Sequence, residues 1–462
     1  MITIISVIFI LGYLAITLEH PLKINKTASA LLTGVLVWTV YAVFNPTEGI
    51  LTSESFQQFV QNFQIESPNF FENAGTHELY VYYVGSQLNH HLGQIAEILF
   101  FLLGAMTIVE LIDAHQGFKV ITNRITTTDQ RKLLWLLGFI TFFLSSVLDN
   151  LTTAIVMVSL LRRLVHDVEQ RKFFAGIVII AANAGGAFSP IGDVTTTMLW
   201  IGGQISAMNI IVTLIIPSLV CLAIPLIFLS FRLKGSVARA EYDYQGQREV
   251  EKVKGSRIML FAGIGALLFV PIFKTVTHLP PYMGMLLGLA ILWILSEIIH
   301  KDEGEEERKP YTAIHALTRI DVPSVLFFLG ILVAISALES THILSHLAEW
   351  MDHSIGNLNL IAIAIGLASA VVDNVPLVAA SQGMYDLSIY HMDHKIWEFI
   401  AYTAGTGGSI LIIGSAAGVA VMGMEKIDFF WYVKRISWLA LLGFFAGAAA
   451  YIAVYPIFAV TH

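Results

Sequence analysis

The sequence predicts an all-α polytopic membrane protein organised as an inverted repeat. Each half has five membrane crossings, one of them a broken helix, plus one re-entrant hairpin. Three observations lead there. Apolar residues make up 56% of the 462 and charged residues only 13%, about half the charge of a soluble domain, so a water-soluble surface cannot be clothed. Lys and Arg cluster between apolar runs long enough to span ~30 Å of hydrocarbon. Two short apolar runs with polar middles recur at matching places in the two halves. The same composition excludes other classes. A net charge of −8 without a basic stripe argues against a nucleic-acid partner. A lone Cys221 argues against a disulfide scaffold or a Cys-rich metal site.

Residues 2–18 are apolar, with no positive charge before them and no small-x-small site after them. They read as a first crossing rather than a cleaved signal. Lys23 and Lys26 place the next turn in the cytoplasm and the N-terminus outside. A second crossing covers about 28–44. Residues 45–94 contain no Lys or Arg and five Glu, and read as a long outer loop carrying Pro46, Pro68 and His90-His91. A third crossing at about 95–113 returns to a basic cytoplasmic segment. Residues 133–161 are flanked on both sides by basic pairs, Arg131-Lys132 and Arg162-Arg163. The run is too short for two spans of about 20 residues each, so it reads as a hairpin entering from the cytoplasm, with 145–153 at its tip. Irregular backbone at that depth is tolerated only inside protein or beside a water-filled cavity. A crossing at about 173–205 is broken by 183–193, where three Gly and one Pro in eleven residues will not hold a continuous helix. A full span at 208–231 completes the first half, residues 1–232.

A basic cytoplasmic linker, 233–257, separates the halves. The second half, 258–462, has spans near 258–276, 282–299 and 323–340. Its hairpin, about 358–387, lies where no Lys or Arg occurs between Arg319 and Lys395, and so enters from outside. A second broken helix, about 396–424, is interrupted at 405–409 and 414–415. A final span at about 436–457 puts the C-terminus outside. A shift of 224 positions lays Asp149-Asn150 on Asp373-Asn374, and one of 222 lays Gly185-Gly186 and Gly192 on Gly407-Gly408 and Gly414. Five crossings is an odd number, so the second half is inverted relative to the first. Paired broken helices in corresponding positions point to a secondary transporter rather than an enzyme.

Asp149 and Asp373 are the sharpest chemical signals, because a carboxylate within a membrane is costly unless paired, hydrated or protonated. The bland alternative is that each caps a half-helix through backbone N–H groups. One buried carboxylate can hold either a proton or a cation. Asn150, Asn374, Asn183, Ser189, Ser369, Ser409 and Ser415 supply neutral oxygens, the ligands that hard cations prefer. Any one Ser or Thr can instead bond its own backbone. Asp193 stands where the second half has Ser415, which suggests that one half supplies an extra charge. Thr152, Thr153, Thr195, Thr196 and Thr197 are weaker candidates. Glu97, Glu110, Glu297 and Glu339 lie near span ends, with Glu110 and Glu339 the better candidates for gating.

The stretches SSVLDNLTTA, NAGGAFSPIGDVTTTMLWIGGQI and ASAVVDNVPLVAA resemble the NhaD-type sodium/proton antiporters of the ion transporter superfamily over roughly residues 95–456. The resemblance implies exchange of Na+ or Li+ for H+ without a cofactor, in a prokaryotic inner (cytoplasmic) membrane. It implies a homodimer in the lipid bilayer, with a scaffold part and a moving transport part. It places ion-binding positions at Asp149, Asn150, Thr152, Asn183, Ser189, Asp193, Thr195, Ser369, Asp373, Asn374, Ser409 and Ser415.

Two other readings stay open at this stage. An anion carrier of the same superfamily, for dicarboxylates or arsenite, would meet repulsion from carboxylates at both hairpin tips. An intramembrane aspartyl protease would need two facing acids and leaves the repeat unexplained. The orientation gives the first prediction. In a Cys221→Ala background, Val60→Cys reacts with impermeant maleimide from outside and Glu305→Cys only from inside. Labelling of both from one side of sealed cells overturns the topology.

Overall fold

The computed structural model describes residues 1–44, 46, 48–66, 75–122, 125–233, 235–237 and 253–458. Most of the 233–257 linker, Pro68, and the last residues after the final span lie outside them. Among the described residues the chain folds into helices, with a single isolated bridge between Asp129 and Ser236. Seven of these helices are long and apolar enough to cross a membrane: Lys26–Val43, Thr76–Ala114, Ala207–Arg232, Ser256–Thr277, Pro281–Ile299, Val322–Ser340 and the run Phe429–Tyr455. This is the architecture of a multi-pass membrane protein.

The starts of the shorter helices follow from their capping residues. Asp129 accepts from Lys132 N at 2.9 Å, and Asp167 from Gln170 N at 2.7 Å. Asn357 and Asp428 do the same for the helices that follow them. Each cap satisfies a backbone donor that the helix itself leaves unpaired.

Packing divides the chain into two compact units, and each draws on both halves of the sequence. The first comprises Met1–Leu99, Asp321–Gly356 and Ala379–Asp386. Here Lys26–Val43 lies against Val322–Ser340. A Cβ on Gly34 would sit 2.8 Å from the Gly330 carbonyl, and one on Gly330 would sit 2.6 Å from Leu31 N. Small residues let two helices approach this closely without a hydrophobic driving force. Trp38 Nε1 donates to the Val333 carbonyl at 2.8 Å across the same contact.

Residues 45–94 depart from the expected outer loop. Glu54–Glu66 is helical, and Thr76–Ala114 is one 39-residue helix that begins well before the expected crossing at 95. The cause is periodicity. Phe56, Phe59, Val60 and Phe63 recur at helical spacing and present one apolar face. That face meets Tyr80, Tyr83 and Val84, with the Phe56 and Tyr83 rings 5.2 Å apart and edge-to-face. A further helix, Ile343–Ile355, fills the interval between the crossing at Val322–Ser340 and the second hairpin.

The second unit comprises Phe100–Ile320, Asn357–Val378 and Leu387–His462. It contains Gln130–Ser145 and Asn150–Leu164, which form the first hairpin. Leu358–Ala368 and Asn374–Met384 form the second, the latter helix continuing into residues of the first unit. One broken helix is Val168–Ala187 followed by Val194–Ile201, and the other is Lys395–Gly407 followed by Ala416–Glu425.

Each broken helix rests on its neighbouring hairpin through glycines. A Cβ on Gly185 would collide with the Phe142 carbonyl, and one on Gly407 with the Gly366 carbonyl. At the breaks, a Cβ on Gly192 would reach 2.6 Å from the Ser145 carbonyl, and one on Gly414 would reach 2.6 Å from the Ala370 carbonyl. Ser145 Oγ donates to the Ala182 carbonyl and Ser369 Oγ to the Ala404 carbonyl, both at 2.7 Å.

These contacts set the second prediction. Gly185→Ala and Gly407→Ala each destabilise by about 1–3 kcal/mol, the usual cost of overpacking. Gly265→Ala, whose Cβ would meet nothing within 4 Å, leaves stability unchanged or slightly raised. Thermal unfolding midpoints in detergent separate the two classes. Equal midpoints for all three variants refute the close approach.

Candidate functional site

All twelve sequence-derived site residues lie in the second unit. Six of them join in one hydrogen-bonded set. Asp193, 1% exposed, ends the break in the first broken helix and caps Val194–Ile201, its Oδ1 accepting from Thr195 N at 3.1 Å. Asn150, at the tip of the first hairpin, donates through Nδ2 to Asp193 Oδ2 at 2.8 Å and to Asn183 Oδ1 at 3.0 Å. Asn374, at the tip of the second hairpin, donates to Asp193 Oδ2 at 3.2 Å. Asn183 donates through Nδ2 to Ser415 Oγ at 3.1 Å. Ser415 in turn accepts from Gly418 N and caps the second half of the other broken helix.

Both hairpin tips therefore bond one carboxylate on the first broken helix, and the second broken helix joins the set through Ser415 and Asn183. Among the described residues, no Lys or Arg pairs with Asp193 or with Asp149. A buried carboxylate held by neutral donors alone, beside several amide and hydroxyl oxygens, is a place where a hard cation or a proton can settle.

Asp149 and Asp373 stand beside this set rather than at its centre. Asp149 is half-buried and caps Asn150–Leu164, its two oxygens accepting from Thr152 N at 2.8 Å and Thr152 Oγ1 at 2.6 Å. The capping alternative thus describes what Asp149 does here, and Thr152 serves the cap. Asp373 is also half-buried and accepts from Val375 N at 3.4 Å.

The remaining hydroxyls are placed around the breaks. Ser189, within the first break, accepts from Ile191 N at 3.4 Å. Ser409 donates to the Thr406 carbonyl at 2.7 Å, and Ser369 to the Ala404 carbonyl as described. Thr195 meets Asp193 through its backbone N–H. Thr196 and Thr197 bond the carbonyls of Asp193 and Pro190, which makes them supports of the break. Thr153 is fully buried with its Oγ1 unpaired.

Two of the span-end acids have partners outside the set. Glu110 Oε2 faces Arg319 Nε at 3.4 Å, and Glu297 accepts from Trp293 Nε1 at 2.9 Å. In the first unit, His91 is buried with its Nε2 3.0 Å from Ser340 Oγ.

Two buried acids escaped the sequence reading. Glu425, 4% exposed, holds Arg162 Nε at 2.7 Å and Arg171 Nε at 2.6 Å. Its position beside Lys426 makes it look like a solvated loop acid, and in the sequence Arg162 signals only orientation. Glu398, 1% exposed, sits in the first turn of the second broken helix, against Asn209 and Tyr451. A glutamate in the first turn is ordinary for a helix start, so only its burial distinguishes it.

Residues 7–405 match the family model described as "Citrate transporter". The chain is similar to "Sodium/proton antiporter 1" of Arabidopsis thaliana, with 49% identity over 98% of this chain and 72% of the plant protein. It is 46% identical to "Sodium/proton antiporter 2" of the same plant, over 97% of this chain and 99% of the relative. It is also 28% identical to the "Na(+)/H(+) antiporter NhaD" of Alkalimonas amylolytica, over 97% of this chain and 89% of that protein.

Proposed function

The chain belongs to the citrate-transporter family, and from that premise we propose that it exchanges Na+ or Li+ for H+ across its membrane through the Asp193 hub. Named sodium/proton antiporters among its relatives support the exchange. The observation that carries the site is the bonding of Asn150 and Asn374, one from each hairpin tip, to the single buried carboxylate of Asp193.

The two amides bond Asp193 by donating N–H groups. Rotating an amide by half a turn replaces its donors with a carbonyl oxygen. A cation arriving at Asp193 would thus find Asn150, Asn374 and Asn183 able to turn oxygen towards it, with Ser415 and Thr195 beside them. A proton arriving instead neutralises the carboxyl. Occupancy by either excludes the other, and that exclusion is the coupling an exchanger needs. Asp149 and Asp373 add negative charge at the hairpin tips and serve as the second tier of the site.

Alternating access by an inverted repeat is part of this proposal. It is supported by the matched Ser145 and Ser369 bonds and by the matched glycine contacts. Carriage of an anion, despite the family's description, is disfavoured by a hub of carboxylate and amide that pairs Asp193 with no basic side chain. The bacterial relatives support a prokaryotic cytoplasmic membrane, while the higher identity to the plant proteins pulls the other way. The homodimer rests on the family resemblance alone.

The third prediction tests the shared site. In everted vesicles, NaCl or LiCl added to a respiration-driven proton gradient dequenches acridine orange, and Asp193→Asn abolishes the response while the protein still reaches the membrane. For the wild type, the apparent KM for Na+ rises as pH falls. The rise approaches about tenfold per pH unit once the protonated site predominates, with the maximal rate less affected. A KM for Na+ that stays constant over about three pH units separates the proton and cation pathways and removes the shared site. Asp193→Ser, which copies Ser415, weakens Na+ affinity more than Ser415→Ala does.

A further inference from the structure

Glu398 is a second buried carboxyl group that the Asp193 hub does not use. On its own helix Gly405, where an added Cβ would lie 3.9 Å from Asp193 Oδ2, comes seven residues later, about 10 Å along the helix axis, so the two carboxyls cannot share one ion. Asn209 Nδ2 donates to its Oε1. Tyr451 Oη lies 2.8 Å from its Oε2 and also 3.0 Å from the Lys395 carbonyl. Among the described residues, no Lys or Arg is ion-paired with it.

The proton count at Tyr451 is informative. Three oxygens, those of the Lys395 carbonyl, Tyr451 and Glu398, form a chain with the phenol in the middle. One proton can serve both acceptors only as a shared three-centre bond; two full bonds between these oxygens need two protons, and a phenol has one. The carbonyl has none to give. If Tyr451 donates to Lys395, the other proton has to belong to Glu398 Oε2, which then donates to Tyr451. The arrangement therefore fits a neutral carboxylic acid, with Asn209 satisfying the remaining oxygen. Asp393, on the same segment, accepts from Ser206 N at 2.6 Å, and Tyr455 follows one turn after Tyr451 on the last helix. Lys395 lies on Glu398's own helix, and Asn209, from the helix Ala207–Arg232, brings no charge.

We propose that Glu398 is a second proton-carrying group of the exchanger, which releases its proton from Oε2 to solvent and regains one during each transport cycle. The proposal rests on the exchange reading above and goes beyond it, since a proton held here does not compete with Na+ at Asp193.

The test compares two reactions in proteoliposomes. One is Na+/H+ exchange. The other is 22Na+/Na+ counterflow, which needs no net proton transfer. Glu398→Gln keeps an acceptor for Asn209 and a donor for Tyr451, so it copies the neutral acid and cannot lose a proton. The expected result is exchange slowed at least tenfold, with counterflow close to that of the wild type. Wild-type rates and pH profile in both reactions would show that the side chain is a permanent structural acid and overturn the proposal. Loss of both reactions in a correctly folded variant would also overturn it. If Glu398→Gln does not fold, Glu398→Asp carries the test. A displaced pH profile for exchange supports the proposal, and an unchanged one ends it. Asp193→Asn run in parallel loses both reactions if the hub reading holds, so failure of that reading is seen separately.

Discussion

The acceptance of hydrogen bonds by one buried carboxylate, Asp193, is the interaction on which the rest of the second unit depends. Its oxygens take donors from both hairpin tips and from the helix that it caps itself. A carboxylate left alone in such a place would be too costly to keep charged. The surrounding design answers with several neutral donors and no fixed cation, which leaves the charge available. The two breaks follow from this arrangement. A continuous helix would carry its own backbone bonds past the site, whereas an interrupted one presents chain ends and caps to it.

One other buried acid is treated differently, and the contrast is informative. Glu425 is held by two guanidinium groups, Arg162 from the end of one hairpin helix and Arg171 from the first broken helix. A buried carboxylate with its own cations has little use for a transported one. Its contribution is to fasten the ends of three elements. Charge of the same sign thus serves opposite purposes, according to whether the counter-ion is built in or borrowed.

Much of this was legible in the sequence, and the limits have physical causes. The hairpins and breaks were visible because glycine, proline and polar residues inside short apolar runs disrupt a pattern that lipid otherwise enforces. Those disruptions single out the buried acids, amides and hydroxyls as candidates, and the family resemblance defines the set of twelve. Asp149 and Asp373 stand out in the sequence because their setting repeats, whereas the hydrogen-bonded set gathers on Asp193, whose counterpart Ser415 has no charge. Glu398 and Glu425 stayed hidden, because acids near helix ends resemble ordinary solvated ones until tertiary neighbours bury them. The segment 45–94 was misjudged by polarity, although the spacing of Phe56, Phe59, Val60 and Phe63 already described a helix.

The glycine contacts between each broken helix and its hairpin have a mechanical consequence. Where backbone touches backbone there are no side chains to change rotamer, so the contact has no soft degree of freedom through which one partner could slide over the other. Each such pair is a stiff block, and displacement has to be absorbed at its covalent ends. On the first pair one such end is 202–206, a five-residue joint between Val194–Ile201 and Ala207–Arg232. Motion through the membrane would then be swung on short joints rather than sheared along helix faces, and the loop lengths at those joints would govern how far each block can travel.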